Sequence, residues 1–176
     1  MESSLVLYIL NNDFYAKKFD PQIYPKNLLP KNLQKNKIYV VHSCDSSSSK
    51  KKGHYVVLDT LFSKSNLCIT FFDTFGRKFP YTEIKNIVQF NVTGGASFCF
   101  NHIRFQPIRS TICADLSLFY ILWRCRGYTL KDIQIKKFSN LPKENLKKIP
   151  QFIEKLLPME IREKRKKKKL TWKDFA

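Results

Sequence analysis

Acidic residues are scarce in this chain, and it contains no long apolar run. Fourteen Asp and Glu stand against 32 Lys and Arg, which gives a net charge of +18 over 176 residues. Such a surplus favours a polyanion, most plausibly double-stranded DNA bound through its phosphates without sequence preference, over a merely solubilising surface. Runs such as 118–123 are too short to cross a bilayer, so we expect no membrane partner.

Metal-binding and secretory patterns are also missing. The five cysteines form no CxxC pair, and the three histidines do not fall at finger spacing, so we expect no metal. MESSLVLYIL has neither a basic n-region nor a cleavage site, which predicts no signal peptide and a reducing compartment. We assign four cysteines to packing, although one of them would be able to trap a peptide as a disulfide: Cys44, Cys68, Cys99 and Cys125.

The length and the 43% hydrophobic content, with fifteen Phe and eight Tyr, predict one folded and monomeric domain. We place this domain at 1–160 and a basic tail at 161–176. The stretch REKRKKKK (162–169) holds seven basic residues and one acid, so about twelve of the net charges lie elsewhere. The predicted nucleic-acid-binding residues of the tail are Arg162, Lys164, Arg165, Lys166, Lys167, Lys168 and Lys169.

Hydrophobic patterning predicts an α+β fold in which a central buried helix packs on a mostly antiparallel sheet. The helix at 112–127 is apolar on nearly every face, and Ser110 or Thr111 would cap it. LVLYIL (5–10) is consistent with a strand or a helix, and the proline-punctuated stretch 21–32 predicts a loop. The remaining elements are predicted strands at 37–44, 54–62, 66–76 and 97–107, and predicted helices at 80–90, 128–138 and 143–157.

Four residues have the chemistry and the order of a cysteine protease site. His54 begins one strand and Asp73 ends its neighbour, so the acid would lie beside the imidazole and fix its tautomer. Cys113 opens the buried helix, where the helix dipole favours a thiolate. The side-chain NH₂ of Gln106 and the backbone N–H of Cys113 would form the oxyanion hole. Each residue alone is ordinarily structural, and the combination points to catalysis.

These segments resemble the adenain-like maturation proteases of adenoviruses, virophages and Polinton elements. The likeness runs from about Phe14 to Ile133 and includes FDPQIYPKNLLP, KIYVVHS, GHYVVLD, CITFFDTFGR, FNHIRFQ and the nucleophile helix with RGYTL. The interval from Gln106 to Cys113 matches that of the family. The chain departs from it at Tyr55, where Trp is frequent, at Asp73, where adenain has Glu, and at Ala114, where Gly is usual.

The resemblance implies a papain-like fold with His54, Asp73 and Cys113 as the triad and Gln106 in the oxyanion hole. It implies cleavage of viral capsid and structural precursors during virion maturation, at Gly-Gly-type sites, in the virion and at the intracellular site of assembly. It further implies DNA and an activating peptide as cofactors. VTGGA (92–96) resembles such a cleavage site, although a Gly-Gly pair between elements is ordinarily a turn.

Three alternatives use the same residues or the same charge. A SUMO- or ubiquitin-like deconjugating protease shares the four site residues, and acetyl transfer on the same fold shares the triad. A catalytically silent, basic DNA-packaging protein would need only the positive charge. The intact set of His54, Asp73, Gln106 and Cys113 favours a cysteine endopeptidase.

Overall fold

We describe the fold from a computed structural model, which describes residues 3–45, 53–63 and 65–163. Five strands form one sheet, namely β1 (Gln22–Pro25), β2 (Ile38–His42), β3 (Tyr55–Asp59), β4 (Cys68–Asp73) and β5 (Ser97–Phe100). The α-helices are α1 (Ser3–Asn12), α2 (Thr82–Thr93), α3 (Cys113–Cys125), α4 (Leu130–Lys136) and α5 (Pro142–Lys155). Short 3-10 helices lie at Ala16–Phe19 and Lys26–Leu28.

The strands follow one another across the sheet in chain order. β2, β3 and β4 pair antiparallel at the centre, whereas β1 and β5 join the two edges as parallel strands. The predicted α+β fold, with a buried helix on the sheet, is confirmed. The β4–β5 crossover (74–96) contains α2, as a parallel pair commonly requires. The β1–β2 and β2–β3 connections are equal in length (26–37 and 43–54), so length alone does not decide which of these pairs is parallel.

Both faces of the sheet are covered, which explains why β3 is buried along its whole length. Val57 faces the larger cluster, which contains α3 and residues of α1, α4 and α5. Val56 and Leu58 face the opposite cluster, where Ile84 and Val88 of α2 pack against them. A strand buried on both faces has a continuous apolar sequence, and YVVLD fits this pattern except at its last residue.

That last residue, Asp59, anchors the C-terminal end of α3. The Arg124 guanidinium donates through Nη2 to Asp59 Oδ1 at 2.8 Å, and the Tyr120 hydroxyl donates to Asp59 Oδ2 at 2.5 Å. A further guanidinium N–H of Arg124 donates to the Tyr128 carbonyl at 2.8 Å. The Asp59 and Arg124 side chains are 1% and 8% exposed, so this ion pair is buried. It fixes α3 along the strand that it covers.

Two predicted elements differ from the structure. The stretch 21–32, predicted as a loop, contains β1, which tolerates Pro25 because an edge strand pairs on one side only. The strand predicted at 97–107 ends at Phe100. Buried Asn101 follows it, and its side chain bonds the backbone of Asp73, so the chain leaves the sheet there.

The Gly-Gly pair of VTGGA ends helix α2. Gly94 is the C-cap, and its N–H donates to the Phe90 carbonyl at 3.2 Å. Gly95 has a φ of 94°, which glycine adopts readily, and its N–H donates to the Val92 carbonyl at 2.9 Å. Ser97, two residues after Gly95, pairs with Cys68 at the start of β4. The Gly-Gly pair therefore lies at the end of the sheet opposite to Asp73, which ends β4.

The boundary between the domain and the basic tail falls inside a helical turn. Arg162 lies in a turn that begins at Met159, and it donates to the carbonyls of Leu157 and Lys155 at 2.6 and 2.8 Å. Its guanidinium therefore caps the end of α5. The other predicted nucleic-acid-binding residues, from Lys164 to Lys169, lie outside the described residues. In the part of the chain that the structure describes, no helix is long and apolar enough to cross a membrane.

Loss of the Asp59 carboxylate should destabilise the protein strongly. Asp59→Asn leaves the buried Arg124 charge uncompensated, and we expect the free energy of unfolding to fall by about 3–5 kcal/mol. Urea denaturation followed by circular dichroism measures this loss. Lys136→Gln removes the base of an exposed pair with Asp132 and serves as the control, for which we expect no measurable change. Equal midpoints for the two variants would contradict the anchoring role of Asp59.

Candidate active site

His54 lies directly before β3 and is held through both its backbone and its ring. Its N–H donates to Ser43 Oγ at 2.7 Å, and the Ser43 N–H donates to the His54 carbonyl at 2.9 Å. The antiparallel register pairs Val56 with Asp73, which brings the end of β4 beside the start of β3. His54 Nε2 consequently lies 2.6 Å from Asp73 Oδ1. The structure thus places acid and imidazole side by side.

The Asp73 carboxylate is fully buried and has several donors. Oδ1 also accepts the Phe75 N–H at 3.1 Å, and Oδ2 accepts Nε–H of Arg77 at 2.6 Å. Burial raises the pKa of this carboxyl, but the hydrogen bonds from His54 and Arg77 outweigh it, so the pKa lies below its ordinary value. Asp73 therefore remains ionised at neutral pH and orients His54.

Cys113 is the first residue of α3 and contacts the other side of the imidazole. Burial raises the pKa of its thiol, but the hydrogen bond with His54 and the backbone N–H groups of Tyr55 and Ala114 lower it more, so the net shift is downward. Because His54 Nε2 is bonded to Asp73, Nδ1 is the ring nitrogen left for the thiol. The sulfur therefore lies where donors stabilise its anion.

The predicted side-chain cap of α3 was wrong. Ile112 is the N-cap, and no side chain accepts a hydrogen bond there, so neither Ser110 nor Thr111 caps the helix. An uncapped helix N-terminus leaves backbone N–H groups without intrahelical partners. Those groups and the helix dipole are consequently available to an anion beside Cys113.

The shifts of the two reacting groups favour proton transfer between them. Burial lowers the pKa of His54, but its hydrogen bonds with Asp73 and Cys113, together with their charges, raise it more. The His54 pKa thus moves up from 6.5 while that of Cys113 moves down from 9.0. The two proton affinities approach each other, which lowers the cost of forming a thiolate and an imidazolium.

Gln106 is 1% exposed and has a fixed amide orientation. Its Oε1 accepts the hydroxyl proton of Thr74 at 2.6 Å, and its Nε2 donates to the Ser110 carbonyl at 2.7 Å. The Ser110 bond identifies the NH₂ group, because a backbone carbonyl can only accept; the Thr74 hydroxyl then donates to the remaining oxygen. The bond to Ser110 uses one proton of that NH₂, and the second is the one that an oxyanion hole requires.

The four predicted site residues are joined by a continuous series of contacts. Cys113 bonds to His54, and His54 bonds to Asp73. Thr74 follows Asp73 in the chain and bonds to Gln106, which in turn bonds to Ser110, three residues before Cys113. The structure therefore ties all four predicted site residues together through β3, the end of β4 and the loop before α3.

Three supporting residues escaped the sequence analysis. Thr74 orients Gln106, and Arg77 binds the acid. Asn101 is fully buried; it accepts the Asp73 N–H at 2.8 Å and donates to the Asp73 carbonyl at 2.7 Å. Thr74 and Arg77 stood within the quoted motif CITFFDTFGR, where adjacency to the acid was the available signal. Asn101 acts across 28 positions of sequence and leaves no local pattern.

The remaining cysteines differ from Cys113. Burial raises the pKa of Cys125 to about 12. Although Cys99 as a residue is exposed, its sulfur is partly desolvated, which raises the pKa of that thiol as well. Cys99 is exposed on edge strand β5, so its assignment to packing was wrong, whereas Cys44 and Cys68 are half-buried. Among the described residues, no group of three or more His, Cys, Asp or Glu side chains is placed to hold a metal ion.

Comparisons with known proteins find similarity among solved structures. No protein-family model matches the chain, and no curated protein matches it. Among solved structures, the chain is similar to the crystal structure of the ASFV pS273R protease, with 17% sequence identity and a TM-score of 0.43. The match covers 62% of this chain and 39% of that one.

The lowered pKa of Cys113 predicts selective alkylation. Only the thiolate is nucleophilic, so iodoacetamide should modify Cys113 first between about pH 5 and 8, where Cys99 and Cys125 are protonated. Peptide mapping by mass spectrometry at each pH measures the rates. Cys113→Ala and His54→Ala should both abolish the fast reaction, whereas Cys125→Ala should retain it. Similar slow rates at all five cysteines would remove the chemical basis of the site.

Proposed function

We propose that the protein is a cysteine endopeptidase. The observation that carries this proposal is the position of the His54 imidazole, which is bonded to buried Asp73 through Nε2 and to the Cys113 thiol at the start of a buried helix. This arrangement has a nucleophile, a base and a group that orients the base. The anchored amide of Gln106 adds the donor that acyl transfer needs.

The geometry supports a two-step mechanism. In the first step the Cys113 thiolate attacks the scissile carbonyl, while the Gln106 NH₂ and the Cys113 N–H stabilise the developing oxyanion. The His54 imidazolium then protonates the leaving amine, which releases it and leaves an acyl-enzyme. In the second step His54 removes a proton from water, which attacks the thioester and restores the thiol. Asp73 stays ionised throughout and stabilises the imidazolium.

We further propose viral structural-protein precursors as substrates, cleaved at Gly-Gly-type sites during virion maturation. The support is the resemblance to adenain-like proteases in the segments around His54, Asp73, Gln106 and Cys113. On this proposal the protein acts in the virion and at the intracellular site of virus assembly, and DNA and an activating peptide serve as cofactors.

A cleavage assay tests the endopeptidase function. The full chain is incubated separately with denatured capsid-derived proteins, Gly-Gly peptides and ubiquitin-like conjugates. Cys113→Ala is the matched control after its fold is checked by circular dichroism. We expect peptide-bond cleavage and a trapped acyl-enzyme in the parent protein alone. Cleavage confined to ubiquitin-like conjugates would replace the endopeptidase by a deconjugating enzyme. The absence of both peptide turnover and selective thiol labelling would reject a catalytic function.

Gln106→Ala should separate catalysis from thiol activation. Losing one oxyanion donor costs roughly 10²–10³ in kcat, and we expect a loss of this size. The rate and pH dependence of Cys113 alkylation should remain unchanged, because alkylation by iodoacetamide forms no oxyanion. Peptide turnover and the rate of Cys113 alkylation are measured in parallel on the Gln106→Ala variant and the parent protein. An equal loss in both would show that Gln106 supports the thiol and not the oxyanion.

The positive charge supports binding of double-stranded DNA, because the basic tail follows a basic helical segment. In α4 and α5 the basic residues are Lys131, Lys136, Lys143, Lys147, Lys148 and Lys155, and the acids are Asp132, Glu144 and Glu154. We propose that this segment and the tail bind phosphates without reading the bases.

Replacing the four lysines 166–169 by glutamine should weaken this binding at every DNA sequence. The slope of log K against log salt should become less steep by about 0.9 for each phosphate that the variant no longer binds. Fluorescence anisotropy over a salt series, with two unrelated duplexes of equal length, measures both effects. An unchanged slope would place the phosphate-binding residues outside the tail, and a preference for one duplex would contradict binding through phosphates alone.

A further inference from the structure

Arg77 binds Oδ2 of Asp73, the carboxylate oxygen that is not bonded to His54. It lies in the loop after β4, four residues beyond Asp73, and its Nε–H donates to Asp73 Oδ2 at 2.6 Å. Its side chain is 46% exposed, whereas Asp73 is fully buried. The carboxylate is therefore shared between an imidazole on Oδ1 and a permanently charged guanidinium on Oδ2.

A second route joins Arg77 to the imidazole itself. The guanidinium lies 5.1 Å from the centre of the Phe75 ring, and that ring lies 5.0 Å from the His54 ring at an angle of 35°. The Phe75 N–H also donates to Asp73 Oδ1. Cation–π attraction therefore holds Arg77 on the same residue that packs against His54.

Tyr81 completes a third route between Arg77 and His54. Its hydroxyl is hydrogen-bonded to Arg77 and to Ser43. Ser43 exchanges two hydrogen bonds with the backbone of His54. Arg77 thus contacts both the acid and, through Tyr81, the group that fixes the backbone of the base.

We propose that Arg77 is a positioning residue that orients Asp73 and sets the pH range in which Cys113 and His54 react. The planar guanidinium fixes the carboxylate plane through Oδ2, so that Oδ1 points to the imidazole. Its positive charge offsets part of the Asp73 charge that acts on His54. The inference rests on the proposed function only in requiring that Cys113 and His54 form the reactive pair.

The sign of the effect follows from electrostatics. Without Arg77 the full charge of Asp73 acts on His54, which favours the imidazolium and raises its pKa. The site as a whole also loses one positive charge, which disfavours the Cys113 thiolate and raises the pKa of the thiol. The rate of Cys113 alkylation plotted against pH has a lower limb, set by the pKa of the thiol, and an upper limb, set by the pKa of His54. Both limbs should consequently move to higher pH.

The other titratable groups around the pair stay the same in each variant. His42 of β2 faces His54, and Tyr81 before α2 faces Asp73 and Arg77. On the α3 side the facing group is Cys113, and Asp115 lies in the first turn of that helix. None of these residues is altered, so a common shift of both limbs reports the charge at Arg77.

Two neutral variants and two controls test the proposal. Arg77→Gln and Arg77→Met remove the charge, and Met also keeps an unbranched apolar stem beside Phe75, so it replaces the Gln variant should that one not fold. Arg77→Lys retains the charge. Lys78→Gln removes an equal charge one residue away, where the ammonium contacts the rings of Phe79 and Phe100. Cys113 alkylation between about pH 5 and 10 and NMR titration of His54 are the readouts.

We expect the neutral variants to shift both limbs and the His54 titration upward by about half a pH unit or more. The Arg77→Lys and Lys78→Gln variants should remain close to the parent protein. A folded neutral variant with the parent profile, or with a downward shift, overturns the role of Arg77. If the parent protein itself shows no fast-reacting thiol, the Cys113–His54 pair is rejected, and this outcome is distinct from failure of the Arg77 role alone.

Discussion

The contact between strand β3 and helix α3 governs the rest of the structure. His54 and Asp59 stand at the two ends of the strand segment, and Cys113 and Arg124 stand at the two ends of the helix. Five strand steps and eleven helix steps both span about 16 Å, so two polar contacts can form at once. The buried Asp59–Arg124 pair closes one end, and the His54–Cys113 contact closes the other. A small axial displacement of α3 would break one contact in order to keep the other. The packed apolar layer between them resists that displacement, because close-packed interiors repack in discrete steps.

The polar groups of the site are tolerated in the interior because nearly all of them are paired across segments. Asp73 accepts three side-chain or backbone donors on its carboxylate, and Asn101 satisfies its backbone in both directions. An unpaired buried carboxylate would instead become protonated, and a protonated acid would no longer stabilise an imidazolium. The same bonds that allow Asp73 to be buried therefore keep it ionised. Gln106 is paired in the same way: the Ser110 carbonyl, which can only accept, fixes the NH₂ end of the amide, and the Thr74 hydroxyl donates to its oxygen.

The sequence predicted the placement of His54, Asp73 and Cys113 better than it predicted the residues that support them. His54, Asp73 and Cys113 occupy the ends of elements whose apolar patterns are strong, so their approach follows from placing two neighbouring strands and one buried helix. Strand β1 was missed because Pro25 signals a loop, and only its position at the sheet edge permits it to pair. Asn101 was missed for a different reason: its partner lies 28 residues away, and no local periodicity records a bond of that range. The catalytic roles and the function of the basic tail remain predictions.

Burial alone does not decide which cysteine of this protein can act as a nucleophile. Cys113 is 8% exposed and Cys125 is 5% exposed, and both belong to the same helix and the same apolar cluster. Desolvation raises the pKa of both thiols, yet the pKa of Cys125 rises to about 12 while that of Cys113 falls. The difference lies in their partners. Cys113 meets the imidazole of His54 and two backbone N–H groups at the positive end of the helix, whereas Cys125 lies at the negative end with the charges of Asp59 and Asp13 acting on it. The pKa of each thiol is therefore set by the donors and charges that surround it, and exposure to solvent contributes little to the difference.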